Sequence, residues 1–139
     1  MVMSGLLDRY PTLRICLAHG GGTFPWLLPR LDQTWNVFDD VKAGTSHKPS
    51  ETAKLLTYDT LTYDIHNVSL LIERVGTDRL VMGTDYPFPL REVPPGVVVN
   101  AVDTIRSEER EAILGYNALR FLHCSGTSTT LMLKEGSKT

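Results

Sequence analysis

The apolar positions of the chain alternate between short continuous runs and longer runs with helical spacing. Residues 13–18 form a short, mostly apolar run that ends in His19 and three glycines, which is typical of a buried strand leaving a sheet. In residues 24–38 the apolar positions recur every three or four residues, and this spacing predicts one helix. The first part of the chain is therefore predicted to form a strand, a glycine loop and a helix.

The same order recurs further along the chain. Residues 42–50 are polar and contain a glycine and a proline, so they predict a loop before a second strand at 58–61. Asp64 is placed to be the N-cap of a helix over 65–75. Gly76 is predicted to end that helix in the left-handed conformation.

A third apolar run, residues 79–83, follows at once and predicts a third strand. The two prolines in residues 84–89 exclude a continuation of that strand and indicate a rigid loop. Ser107 is predicted to cap a helix through Leu114, and residues 117–122 predict a further helical turn or two. The repeated order of strand and helix favours an α/β fold with parallel strands and crossover helices.

Length and composition predict one domain. With 139 residues, 42% of them apolar, the chain can bury a single core. We expect that domain to span residues 1–124. Residues 125–139 are rich in serine, threonine, glycine and lysine, and this composition predicts a disordered tail.

Charge and hydropathy limit the possible partners and location. The formal charge is −2 and the charged residues are scattered, which indicates no nucleic-acid partner and no binding to an anionic membrane. No apolar run approaches the roughly 20 residues that span a bilayer, and the first residues lack a secretory pattern, so a cytoplasmic location is predicted. Cys16 and Cys124 lack the spacing of a disulfide framework or zinc knuckle, and they are predicted to be reduced thiols.

Two polar residues follow predicted strands closely, at the sheet edge where parallel α/β folds bind ligands. His19 is a candidate general base or metal ligand, because histidine titrates near neutral pH and the glycines after it allow close approach. Its alternative is a histidine hydrogen-bonded beside a tight turn. Asp85 is a candidate ligand of a divalent cation or acceptor of a proton from bound water. Its alternative is an aspartate that caps a turn through backbone N–H groups.

Other candidate residues have ordinary interpretations. Histidines outside the glycine loop are interpreted as surface residues, arginines as solvated charges, and large aromatic residues as core or interface residues. The histidines are His47, His66 and His123, the arginines are Arg14 and Arg30, and the aromatic residues are Tyr10, Trp26 and Trp35.

Three segments in register resemble a known family. They are YPTLRICLAHGGG at 10–22, GTDRLVMGTDYPFPL at 76–90 and NALRFL at 117–122, and they resemble the amidohydrolase-related decarboxylases. The resemblance implies a partial TIM-like (β/α)8 barrel, with the C-terminal three or so strand–helix units and trailing helices in this chain. It also implies a divalent metal, usually zinc, and non-oxidative decarboxylation of a small-molecule carboxylate.

The resemblance also implies roles for four residues. Asp85 corresponds to a metal-ligating aspartate after the last barrel strand, and His19 to a histidine that activates metal-bound water. Arg30 corresponds to an arginine that holds a substrate carboxylate in the neighbouring subunit's site, which implies a homo-oligomer. Phe88 stands where the family has an aromatic residue near the substrate.

Some features depart from the family pattern. The family's first two metal ligands form a His-x-His pair, which does not occur in this sequence, and a complete barrel has about 250 residues. Many relatives have histidine where this chain has Tyr63. Three hypotheses follow: part of a decarboxylase that associates with a missing N-terminal half, a metal-dependent hydrolase of the wider superfamily, or a non-catalytic remnant that binds a partner through an exposed strand edge.

Overall fold

Three short parallel strands lie at the centre of the fold. The computed structural model describes residues 1–124, so the predicted tail at 125–139 lies outside the described residues. The sheet order is β1-β2-β3, and both neighbouring pairs are parallel, which confirms the predicted α/β arrangement. The strands are β1 (Cys16–Leu17), β2 (Thr57–Asp59) and β3 (Leu80–Val81).

Helices connect and follow the strands. Short 3₁₀ turns at His19–Gly21 and Thr77–Arg79 adjoin β1 and β3, and a π-helical segment at Ala112–Tyr116 joins the last two helices. The α-helices are α1 (Leu6–Arg9), α2 (Phe24–Val37), α3 (Asp39–Ala43), α4 (Pro49–Ala53), α5 (Ile65–Val75), α6 (Val97–Asn100), α7 (Ser107–Glu111) and α8 (Asn117–Phe121).

The first strand differs from its prediction. A buried strand over 13–18 was expected, but β1 contains only Cys16 and Leu17, and the Cys16 side chain is exposed. The reason is its position at the edge of the sheet, where β2 is its single neighbour within residues 1–124. On its outer side, an edge strand has backbone N–H and C=O groups that no neighbouring strand pairs with.

The predicted loop at 42–50 is also wrong in part. Helix α3 ends at Ala43 and helix α4 begins at Pro49, where proline is tolerated because the first helical N–H has no partner within the helix. The Lys48 N–H donates to the Glu51 carboxylate at 3.0 Å, which begins α4 in a polar segment.

Helix α5 agrees with its prediction at its first residues. The Asp64 carboxylate accepts hydrogen bonds from the N–H groups of His66 at 2.8 Å and Asn67 at 3.0 Å, so Asp64 is the expected N-cap. Gly76 ends the helix with φ 90° and ψ 157°. This is not the predicted left-handed helical conformation, because the chain turns at once into the segment that leads to β3.

Two further helix predictions need correction. Ser107 is the first residue of α7, and Arg106 precedes it in extended conformation as the N-cap. The Arg106 N–H donates to the Glu109 carboxylate at 3.0 Å. The short helix α6 was not predicted at all, since its run of valines favours strand over helix.

The hydrophobic core lies on one face of the sheet. Tyr58 and Leu80 are fully buried there against Val68 and Leu71 of α5. Because side chains alternate along a strand, the other residues of the three strands point to the opposite face. We call this opposite face the inner face, and it comprises Cys16, Thr57, Asp59 and Val81.

The trailing helices cover the outer edge of β3. The Met82 N–H donates to the Ile113 carbonyl at 2.9 Å. The buried Asn117 amide donates to the carbonyls of Leu80 at 2.7 Å and Thr77 at 2.9 Å. The backbone groups at this edge are therefore satisfied without another strand, and within residues 1–124 the far edge of β1 has no equivalent cover.

Candidate functional site

Three loops leave the carboxyl ends of the strands and form one edge of the molecule, which we call the rim. Each loop holds one non-glycine residue in the left-handed region: His19 with φ 53°, Tyr63 with φ 56° and Asp85 with φ 58°. Such a conformation costs energy for residues with a side chain, and it is concentrated at functional sites. Because all three strands are parallel, His19 and Asp85 lie at the same end of the sheet.

The His19 loop is a tight turn built from glycines. Gly21 donates to the Ala18 carbonyl at 3.0 Å, and Gly22 donates to the His19 carbonyl at 2.9 Å. Gly20 has φ 62°, and a Cβ atom there would lie 2.7 Å from the Thr62 methyl group. Glycine is therefore required for the turn to fit against the loop after β2.

His19 lines a cavity of about 480 Å³ between its own loop and the first turns of α5. Its walls are largely apolar with a few polar groups, which suits a small molecule. Asp85, Phe88 and Arg30 are not among its lining residues. The residues that line it include His19, Trp26, Thr62, Tyr63, Asn67 and Leu71.

The Asp85 loop is closed by bonds that do not use the Asp85 carboxylate. The Phe88 N–H donates to the Asp85 carbonyl at 2.8 Å, and the Glu92 N–H donates to the Thr84 carbonyl at 2.9 Å. Thr84 Oγ1 accepts from the Tyr86 N–H at 3.3 Å. Within residues 1–124 the Asp85 carboxylate accepts no hydrogen bond from the backbone, so the alternative of a turn-capping aspartate is not what the structure has.

Tyr63 connects the loop after β2 with the loop after β3. Its hydroxyl donates to the Leu90 carbonyl. Loss of solvation raises the pKa of Tyr63, and the carboxylates of Asp85, Glu92 and Asp59 raise it further. The phenol therefore stays protonated at neutral pH, as a hydrogen-bond donor beside the Asp85 loop.

Arg30 and Phe88 lie on the surface of the described chain. Arg30 is exposed on α2, one helical turn after Trp26, whose side chain is 74% exposed. Phe88 is 61% exposed on the loop after Asp85. Within residues 1–124 the Arg30 guanidinium is in no ion pair with a carboxylate, so both side chains remain available to a ligand or to another chain.

The residues present do not make up a metal site on their own. Residues 1–124 contain no group of three or more histidine, cysteine, aspartate or glutamate side chains that could hold a metal ion. Zinc generally takes at least three protein ligands. Asp85 therefore remains a predicted single ligand, and no reaction step can be derived from a metal held by the described residues.

Two acidic residues of the rim were missed by the sequence reasoning. Asp59 accepts hydrogen bonds from the N–H groups of Gly20 and Leu61, and the buried Glu92 accepts from the N–H of Gly96. Neither stands in a recognisable motif. The predicted second strand, at 58–61, placed Asp59 inside the strand, whereas β2 ends at Asp59, so the criterion that selected His19 did not select Asp59.

The remaining candidates lie on the surface. The His47 ring lies 4.0 Å from an Asp8 oxygen and 3.9 Å from a Glu51 oxygen, while His66 and His123 are exposed. Tyr10 and Trp26 are exposed, so the core alternative is wrong for them, and Trp35 lies beneath the ammonium groups of two lysines. Cys16 and Cys124 are free and exposed in the structure. Within residues 1–124 no helix has the length and apolar character to cross a bilayer.

Comparisons with known proteins identify relatives of this arrangement. The amidohydrolase family profile matches residues 1–124. The 2-amino-3-carboxymuconate-6-semialdehyde decarboxylase of Caenorhabditis elegans is 39% identical over 123 residues, which are 88% of this chain and 31% of that protein.

Solved structures show the same fold. The 5-carboxyvanillate decarboxylase of Sphingomonas paucimobilis superposes with a TM-score of 0.76 at 27% identity, covering 88% of this chain and 37% of that one. A dihydroxybenzoic acid decarboxylase from Polaromonas, solved with bound manganese, gives 0.76 at 22% identity over 90% of this chain and 38% of that one. The chain thus spans about a third of the length of the relatives it matches, and its sheet and helices form part of a TIM-like barrel.

Proposed function

The chain belongs to the amidohydrolase family, and from this premise we propose that it forms the C-terminal part of a metal-dependent, non-oxidative decarboxylase. Its substrate would be a small aromatic or unsaturated carboxylate. The observation that carries the proposal is the shared rim, where His19 and Asp85 both hold the left-handed conformation at the ends of parallel strands. The named decarboxylases among the relatives support the reaction type.

The reaction needs one proton and one group that holds the departing carboxylate. Decarboxylation breaks the bond between a ring or chain carbon and the carboxylate, releases CO2 and leaves a C–H bond in its place. His19 lines the cavity and can carry a proton to or from the site. The Asp85 carboxylate, half-buried and without a backbone hydrogen bond in residues 1–124, can accept a proton beside it.

Arg30 and Phe88 are proposed to bind substrate. A guanidinium holds a carboxylate through two parallel hydrogen bonds, and the Arg30 side chain is exposed. An exposed arginine outside the His19 cavity suits a role in the site of a second copy, which supports the predicted homo-oligomer. Phe88 offers an aromatic face to an unsaturated substrate.

The proposal requires strand–helix units beyond those in residues 1–124. Asp85 would be one ligand of a divalent metal, and the other ligands would come from those units, because residues 1–124 hold no cluster of three ligands. The family resemblance implied zinc, whereas one structural relative was solved with manganese. We also propose that the protein is cytoplasmic.

A hydrolase is the second candidate. The family profile bears the amidohydrolase name, and a histidine and an aspartate at one rim can also direct water to an ester or amide. The non-catalytic alternative would use the uncovered edge of β1 to bind a partner. Assays with carboxylate, amide and lactone substrates separate the first two candidates.

The test combines the chain with a co-expressed segment that carries the missing barrel units. We expect near-stoichiometric divalent metal by elemental analysis, and CO2 release from an aromatic carboxylate, only in the assembled protein. Asp85→Asn should lower the metal content, and His19→Gln should lower CO2 release with the metal retained.

The matched control is His66→Gln, an exposed histidine on α5 that lies outside the cavity lining. It should leave both measurements unchanged. An assembled protein that binds metal but releases no CO2 and hydrolyses an amide would replace the proposal by the hydrolase. An assembled protein with neither metal nor activity would leave the non-catalytic alternative.

A further inference from the structure

We propose that Asp59 is a positioning residue that holds the His19 loop and the Asp85 loop in a fixed relation to each other. Asp59 is the last residue of β2, the central strand, and its side chain belongs to the inner face of the sheet. It therefore stands between the two strands whose loops carry the candidate residues. A role in catalysis rests on the proposed function, whereas the positioning itself does not.

The first contact of Asp59 is with the His19 loop. Its Oδ1 atom accepts a hydrogen bond from the Gly20 N–H at 3.0 Å. Gly20 directly follows His19, and both residues have positive φ. A charged acceptor on that N–H makes a stronger bond than a neutral one, and it secures the backbone at the point where the histidine would otherwise relax to a common conformation.

The second contact keeps the carboxylate in place. The same Oδ1 atom accepts from the Leu61 N–H at 3.1 Å, which is the usual turn bond of an aspartate to the residue two positions on. The Gly20 bond is different, because it joins residues 39 positions apart in the sequence. The bond from Leu61 orients the Asp59 carboxylate, and in that orientation the carboxylate accepts the bond from Gly20.

The third contact is with the loop after β3. A Cβ atom at Gly83 would lie 2.8 Å from Asp59 Cβ, 2.9 Å from its Cγ and 3.0 Å from its Oδ2. These distances are too short for any side chain, so the backbone before Thr84 and Asp85 packs directly on the carboxylate. Glycine at this position is explained by Asp59, since the φ of Gly83 is not in the left-handed region.

The charge of Asp59 has no cationic partner. Within residues 1–124 it forms no ion pair with lysine, arginine or histidine. Backbone N–H groups alone satisfy it on the Oδ1 side. An aspartate used only for surface charge would not require a glycine after β3 and a backbone N–H in the loop after β1.

The experiment measures amide hydrogen exchange by NMR in the full 139-residue chain. Asp59→Ala removes the acceptor, and we expect exchange of the Gly20 amide to rise roughly tenfold, in line with the loss of one charged hydrogen bond. Asp59→Asn keeps an oxygen in the same place and should retain most of the protection. The matched control is Asp32→Ala, which removes a similar carboxylate bond to the Ser50 N–H at 2.9 Å and should leave Gly20 unchanged.

A second variant tests the link across the sheet. Gly83→Ala pushes on Asp59 from the β3 side, and it should alter the exchange of the Gly20 amide and the ring signals of His19. The same change in an Asp59→Gly background should have no further effect on Gly20, because glycine removes both the carboxylate and the Cβ atom that lies 2.8 Å from the added methyl group. Unchanged Gly20 exchange in Asp59→Ala, or equal loss in Asp59→Asn and Asp59→Ala, would overturn the proposal.

Kinetics of the assembled enzyme provide a separate readout. We expect Asp59→Ala to lower kcat with little change in KM, since the side chain orients groups and does not bind substrate, and Asp59→Asn should restore most of the rate. A rise in KM alone would contradict positioning. If the unsubstituted protein has no decarboxylase activity, the proposed function fails, while the exchange measurements still decide the role of Asp59.

Discussion

Three residues of the rim have strained backbone conformations, and contacts around two of them support that strain. His19, Tyr63 and Asp85 hold strained backbone conformations, and such strain is stable only where surrounding contacts enforce it. The contacts are visible for His19, in the glycine turn and the Asp59 bond, and for Asp85, in the bonds that close its loop. The strain at His19 is therefore supported by its own loop and by strand β2, and the strain at Asp85 by its own loop.

The pKa of the Cys16 thiol depends on its solvation and on the negative charge of Asp59, its neighbour on the inner face. Although Cys16 is exposed, partial loss of solvation raises the pKa of its thiol, and the negative charge of Asp59 raises it further. Since alkylation requires the thiolate, the rate of modification by iodoacetamide should rise with pH through a midpoint above that of a cysteine in a short peptide.

The measurement is a pH series followed by mass spectrometry, in a Cys124→Ser background so that one thiol reacts. Asp59→Asn should lower the midpoint, because it removes the negative charge but leaves the partial loss of solvation unchanged. A midpoint equal to that of the short peptide would show that neither effect acts on Cys16.

At the scale of elements, prediction from sequence succeeded where a pattern is long and failed where it is short. Helix α5 has a cap at Asp64 and an apolar face that repeats over 11 residues, so its period was unambiguous. Helices α3 and α4 have five residues each, too few for a period to show. The ends of β1 depend on a neighbouring strand, which no local pattern contains.

The candidate site divides in the same way. His19 and Asp85 were found because each follows a strand, and the family resemblance assigned their roles. Asp59 was missed because its importance comes from Gly20 and Gly83, which are distant in sequence and close only in the fold. Contacts across strands are the part that a single sequence does not display.

The cap of α5 gives a stability prediction. Asp64→Ala removes the acceptor for the His66 and Asn67 N–H groups, so the free energy of unfolding should fall by about 1 kcal/mol. Urea denaturation followed by circular dichroism measures it. Asp64→Asn, which keeps an oxygen acceptor, is the control and should lose much less; an equal loss would mean that charge, not capping, stabilises the helix.

For the whole molecule, the covered edge of β3 and the uncovered edge of β1 are the main asymmetry. The trailing helices reach β3 through Ile113 and Asn117, and they belong to the same core as α5 through Ile113. The described residues therefore form a packed unit on one face of the sheet. The inner face and the β1 edge are what a complete barrel would enclose.

Asn117 should be important for this packed unit. Asn117→Ala leaves the carbonyls of Leu80 and Thr77 without their donor in a buried position, and the free energy of unfolding should fall by about 2 kcal/mol. Asn36→Ala, on the exposed surface of α2, serves as the control in the same urea titration and should change it little. A loss of the same size in both variants would indicate a general effect of losing an amide side chain.

The two edges of the sheet also differ in what an added strand would have to displace. An incoming strand can add to β1 without breaking any backbone bond, whereas a strand arriving beside β3 must compete with the Ile113 carbonyl and the Asn117 amide for the same groups. Pairing beside β3 in a complete barrel would therefore require these two bonds to be exchanged, whereas pairing beside β1 would not.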